Sequence, residues 1–185
     1  MIPIVKTAFE IQNFLEKKDW RFCIIGGIAL QIRGEPRLTN DVDLTLLTGF
    51  GNEEVYVRAL IEKFIPRIKN AEEFALKNRV LLLKTEDKIG IDISLGALPL
   101  EEEAISRASY EKYLPGISLK ICSSEDLIIL KAFADRLRDW ADIETVIIKQ
   151  DKLDWDYIYR QLTPLVELKD APEILEKLER IKTGF

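Results

Sequence analysis

The run D-V-D-L-T-L-L from Asp41, read as a strand over Val42–Leu47, does most to limit what this chain can become. Side chains alternate along a strand, so Val42, Leu44 and Leu46 share one face while Asp41 and Asp43 share the other. A run patterned this way is a strand buried on one side, and it commits this part of the chain to a sheet. The Cα atoms of the two aspartates then lie about 6.5 Å apart, at ~3.3 Å rise per residue. Two carboxylates that close, pointing the same way, repel unless a cation sits between them. Mg²⁺ suits that place, because it takes one or two carboxylates and fills its other positions with water and phosphate oxygens.

The flanking residues add to this. Arg21–Ile25 (RFCII) is a short apolar strand that ends at Gly26-Gly27, and Ile28–Ile32 reads as a short helix. Glycines let the backbone approach a ligand closely, and a helix N-terminus offers free N–H groups to phosphate. Arg37 and Thr39 lie on the approach to the acidic pair, within reach of phosphate oxygens. Further on, Lys88–Leu95 (KIGIDISL) alternates again, with Gly90, Asp92 and Ser94 opposite Ile89, Ile91, Ile93 and Leu95. If this strand lies beside the first, Asp92 joins Asp41 and Asp43 as a third carboxylate. Three carboxylates can hold two divalent ions, and one can draw a proton from an incoming hydroxyl. Each feature alone has a plainer reading: a solvated polar face, a tight turn, an outward aspartate. Their order and spacing carry the argument.

Composition removes the main rivals. The 185 residues contain no histidine, which excludes a Ser-His-Asp triad, a Cys-His dyad, an HExxH zinc site and an imidazole base. Cys23 and Cys122 are far apart and lie in apolar surroundings, so they read as buried reduced thiols of a cytoplasmic protein. Lys and Arg total 27 against 32 Asp and Glu, a net charge of −5, which argues against a dedicated duplex-DNA binder. The first residues lack the basic-then-apolar pattern of a signal peptide, and no apolar run is long enough to span a bilayer.

Further elements are predicted as helices over Thr7–Lys18, Asn52 onward, Asn70–Lys77 and Glu101–Ala108, and as strands over Arg79–Lys84 and Ile117–Ile121. Thr85-Glu86-Asp87 is a plausible hairpin turn. Ser123-Ser-Glu-Asp126 reads as an acidic capping box opening a helix, and helices follow over Ala141–Lys149, Trp155–Leu165 and Pro172–Lys182, punctuated by Pro164 and Pro172. The expectation is an α+β protein, with a core over residues 1–122 and a helical subdomain over 123–185.

Gly26-Gly27 followed by Arg37-x-Thr39-x-Asp41-x-Asp43-Leu44 resembles the signature of the DNA-polymerase-β-type nucleotidyltransferase superfamily. Glu125-Asp126-Leu127-Ile128-Ile129-Leu130-Lys131, then Ala134-x-Arg136-x-Arg138-Asp139-x-x-Asp142-Ile143, is similar to the abortive-infection branch, the AbiEii-like minimal nucleotidyltransferases that include type IV toxins. The resemblance implies a polymerase-β-like core: a small mixed sheet flanked by helices. It implies that Asp41, Asp43 and Asp92 hold Mg²⁺, two ions in all. It implies that Lys131 contacts the triphosphate, and that Asp139 or Asp142 belongs to the site. Many members carry Gly-Ser where this chain has Gly26-Gly27. The residues themselves leave another reading open, in which Lys131 pairs with Asp135 one turn on and Arg136, Arg138, Asp139 and Asp142 form a solvated ion network.

The implied activity is transfer of a nucleoside monophosphate from an NTP to a hydroxyl acceptor. A tRNA or protein acceptor would fit a toxin with an antitoxin partner. A small molecule of the aminoglycoside or lincosamide class would fit a resistance enzyme. A catalytically weak interaction module is the reading from outside enzymology.

Overall fold

The computed structural model describes residues 2–184. They fold as two units, one running up to Ile28 and from Leu38 to Cys122, the other comprising Ala29–Arg37 and the chain from Ser123 on.

The first unit is built on a mixed sheet, seven-stranded among the described residues. Its elements are α1 (Ile2–Lys17), β1 (Phe22–Ile24), the start of α2 (Gly26–Arg33), β2 (Asp41–Leu47), α3 (Glu53–Lys63), β3 (Ile65–Pro66), α4 (Ala71–Asn78), β4 (Val80–Lys84), β5 (Gly90–Gly96), α5 (Pro99–Arg107), β6 (Ser109–Leu114) and β7 (Ile117–Ile121). The strand order is β3-β4-β5-β2-β1-β7-β6. β2 sits at the centre, parallel to β5 and antiparallel to β1. Val42, Leu44 and Leu46 of β2, with Ile91, Ile93 and Leu95 of β5, are at most 1% exposed and form one apolar layer. Each such side chain contributes roughly 1.5–3 kcal/mol on burial. Helix α1 covers this layer through Val5, Ala8, Ile11 and Leu15, all buried. Gln12 fastens it to β7: its amide donates to the Ser118 carbonyl at 3.0 Å and accepts from the Lys120 N–H at 2.8 Å.

The second unit is helical: the rest of α2, then α6 (Ser124–Ala134), α7 (Leu137–Lys149), α8 (Trp155–Lys169) and α9 (Glu173–Thr183). Helix α6 is buried nearly all round, with Leu127, Ile128, Ile129 and Ala132 at 0% exposure, as befits the centre of a helical layer. Residues Ala29–Arg37 lie within the stretch assigned from the sequence to the core, yet they join this unit. Thr145, Lys149 and Gln150 of α7 bind the backbone of Glu35, Gly34 and Arg33.

The expected capping box is only half formed. Ser123 Oγ accepts the Asp126 N–H at 3.1 Å, but the Asp126 carboxyl takes the Ser123 hydroxyl at 2.6 Å and the Tyr157 hydroxyl at 2.7 Å, not the backbone N–H that a full box would use. Cys23 and Cys122 are buried and free of any disulfide. Among the described residues no helix is long and apolar enough to cross a membrane.

Candidate active site

Strand β2 carries Asp41 and Asp43 half-exposed on the face opposite its buried residues. Strand β5 lies directly beside it. The parallel register sets Asp43 opposite Asp92 and Asp41 opposite Gly90, so the three aspartates rise from one face of two neighbouring strands.

Glycine makes room around them. A Cβ on Gly90 would lie 1.9 Å from Asp41 Oδ1, and one on Gly26 would lie 2.2 Å from Asp43 Oδ2. Gly26 sits at φ +63, where the chain leaves β1 and turns into α2, a conformation that glycine adopts without strain. The Ile25 N–H donates to the Asp43 carbonyl at 2.9 Å, which holds this turn against β2. A Cβ on Gly27 would meet Thr39 Oγ1 at 2.4 Å. The Thr39 hydroxyl donates to the Asp41 carbonyl at 3.3 Å and so shapes the entry to the strand.

One residue of this site was not foreseen from the sequence. Arg67 follows β3, its N–H donating to the Leu82 carbonyl at 3.0 Å. Its guanidinium donates to Asp92 Oδ1 and lies 3.7 Å from Asp41 Oδ1. The repulsion between neighbouring carboxylates was the available clue, since it demands a nearby cation; the cation in place is an arginine. Burial pushes the Asp92 carboxyl above its ordinary value; Arg67 pulls it down, and Asp41 pushes it up again. Among the described residues no three histidine, cysteine, aspartate or glutamate side chains are set to hold a metal ion together. The donors present on Asp41, Asp43 and Asp92 are carboxylate oxygens with no nitrogen or sulfur among them, a donor type that suits hard cations such as Mg²⁺, Ca²⁺ and Mn²⁺.

The other candidate residues form a cluster within the second unit. Lys131 Nζ donates to Asp142 Oδ2 at 2.5 Å and to Asp139 Oδ1 at 3.1 Å. Arg37 grips Asp142 with two parallel bonds of 2.8 Å, the bidentate fork that arginine makes with a carboxylate. Arg136 Nε donates to Asp139 Oδ2 at 2.5 Å. Lys131, Asp139 and Asp142 are each about 5% exposed or less, so this is a buried network and not a solvated one. Asp135 is not the partner of Lys131. It ends α6 in the left-handed region at φ 54, and it binds Lys177 and the Trp140 indole. Burial alone would raise Asp139 and Asp142; the hydrogen bonds and charges of Arg136, Arg37 and Lys131 outweigh it and hold both below their ordinary value.

Known proteins place this architecture. No curated protein matches the sequence. Among solved structures, an antigenic nucleotidyltransferase-like protein from Paracoccidioides brasiliensis superposes with a TM-score of 0.56 at 15% identity, over 96% of this chain and 93% of that one. The lincomycin-bound lincosamide antibiotic adenylyltransferase LnuA superposes with a TM-score of 0.53 at 15% identity, over 76% of this chain and 94% of that one. At such identity the likeness establishes the fold: a nucleotidyltransferase fold. The model of the nucleotidyl transferase AbiEii toxin family, type IV toxin–antitoxin system, matches residues 12–171, and the chain belongs to that family of nucleotidyltransferases.

Proposed function

We propose that the protein transfers a nucleoside monophosphate from an NTP to a hydroxyl on RNA, such as tRNA, or on a protein, in the cytoplasm, as the toxin of a toxin–antitoxin pair. The observation that carries the chemistry is the register of β2 and β5, which sets Asp43 opposite Asp92 with Asp41 on the same face. Family membership supports the toxin role and a cognate antitoxin as partner.

In this reading Asp41, Asp43 and Asp92 would hold Mg²⁺, which when bound supplies positive charge to the α-phosphoryl group and the leaving pyrophosphate. Asp92 accepts the proton of the attacking hydroxyl. Gly26 and Gly27 admit the nucleotide's phosphates to the backbone at the start of α2, and Thr39 holds the entry to β2. Arg37 and Lys131 serve the triphosphate as cations, with Asp139 and Asp142 keeping them in place. Transfer rests on positioning and electrostatics.

The test is incubation with each labelled NTP, Mg²⁺ and total tRNA or cell protein, comparing the native chain with Asp41→Asn and Asp43→Asn. Each variant should fold normally and lose transfer by about a hundredfold or more. Full activity in both overturns the assignment. Label that reaches only an aminoglycoside or lincosamide moves the acceptor to small molecules. Absence of NTP binding in Mg²⁺ leaves an interaction module.

A further inference from the structure

We propose that Arg67 is the protein's own counter-ion for the aspartate face and that it competes with the divalent cation for that face. The inference rests on the reading above, in which the three aspartates hold Mg²⁺, and adds to it a residue that sets how readily the metal enters.

The guanidinium donates to Asp92 on β5 and lies 3.7 Å from Asp41 on β2, so one side chain spans two of the three carboxylates. The geometry is accommodated from the far side as well. A Cβ at position 90 would stand 1.9 Å from Asp41 Oδ1 and 3.1 Å from Arg67 Nη1, and glycine there leaves the pair its space. The arginine's backbone is fixed while its head is not enclosed. The Arg67 N–H is bonded to the Leu82 carbonyl at the end of the β3–β4 ladder, yet its side chain is 29% exposed, beside Asp92 at 33% and Asp41 at 43%. A long side chain anchored at its root and open at its tip can leave without disturbing the strands. A guanidinium and a divalent ion at the same oxygens exclude each other by charge and by volume. A metal ion taking Asp92 Oδ1 together with Asp41 therefore displaces Arg67.

The experiment is titration of the full chain with Mn²⁺ alone, with no nucleotide, followed by calorimetry and by the electron paramagnetic resonance of free Mn²⁺. Arg67→Gln should bind Mn²⁺ about tenfold more tightly than the native chain. Adding Asp41→Asn to Arg67→Gln should abolish that binding. Equal Mn²⁺ affinity in the native and Arg67→Gln chains, still sensitive to Asp41→Asn, overturns the role of Arg67 and leaves the metal site standing. Weaker binding by Arg67→Gln also overturns it, since Arg67 would then be organising the carboxylates. Binding by neither chain overturns both readings. Should circular dichroism show Arg67→Gln unfolded, Arg67→Lys carries the test. A compact ammonium cannot span both carboxylates as a planar fork does, so Mn²⁺ affinity should still rise by a smaller factor, and unchanged affinity overturns the inference.

Discussion

Two glycines show how much of the site depends on single atoms. Gly90 could be read from the sequence only as sharing a face with Asp92. Its contribution comes from the strand alongside, where Asp41 occupies the space that a Cβ would fill. Its backbone is not among those at positive φ, so Gly90→Ala tests the crowding without conformational strain. Displacing the Asp41 carboxylate by about an ångström should reduce nucleotidyl transfer by about a hundredfold, with little loss in urea unfolding, since the atoms in the way are the ends of partly exposed side chains that can swing aside. Gly116 provides the contrast. It has φ +79, and a Cβ there would meet nothing within 4 Å. Gly116→Ala should lower stability by about 1–2 kcal/mol and leave transfer at the native rate. If both variants kept native transfer, the space beside Asp41 would have no bearing on catalysis.

At the scale of elements, what was legible followed the burial pattern. β2 and β5 were readable because both alternate strictly between apolar and polar. β3 was not, being two residues long and ending in Pro66, and β6 was not, because its residues S-Y-E-K-Y-L lie at the sheet's edge without a buried stripe. The Pro115-Gly116 turn between β6 and β7 was the signal that could have revealed that hairpin. The sequence predicts this helix to end at Leu165, just after Pro164, yet α8 runs on to Lys169. Leu162 and Val166, both at most 2% exposed, continue its buried stripe past the proline, and packing outweighs the one lost backbone bond. The same helix holds the N-terminus of α6 through Tyr157, whose hydroxyl donates to Asp126 at 2.7 Å in a fully buried setting. Tyr157→Phe leaves that carboxyl short of a partner and should lower stability by about 1.5–3 kcal/mol in urea unfolding. A change within a few tenths would show that other groups replace the bond.

For the whole molecule, the positions of Asp41, Asp43 and Asp92 follow from strand alternation, whereas Arg67 was not legible, because it reaches Asp92 from 25 residues away, and the pairing of Lys131 was not, because its partners Asp139 and Asp142 lie on the next helix and not one turn on. Those contacts also set how stability responds to pH. Asp139 and Asp142 are held below their ordinary value in the folded chain, their burial outweighed by Arg136, Arg37 and Lys131. A depressed carboxyl contributes stability above its unfolded value, near about 3.9 for aspartate, and that contribution is lost as pH falls through the folded value. The network should therefore stabilise the protein fully at neutral pH and fail in acid, below about pH 4. Asp142→Asn strips Lys131 and Arg37 of a shared buried partner, so at pH 7 it should cost about 3–5 kcal/mol. That deficit should shrink below about pH 4, as the native chain protonates the same carboxyl. Arg136, 72% exposed at the rim of the network, offers the smaller case: Arg136→Gln leaves Asp139 its bond from Lys131, so its deficit at pH 7 should be smaller than that of Asp142→Asn and should likewise shrink below about pH 4. Urea unfolding of the three chains at pH 7 and in acid separates these outcomes. A deficit in Asp142→Asn that stays constant across the range would mean that its cause is packing and not charge.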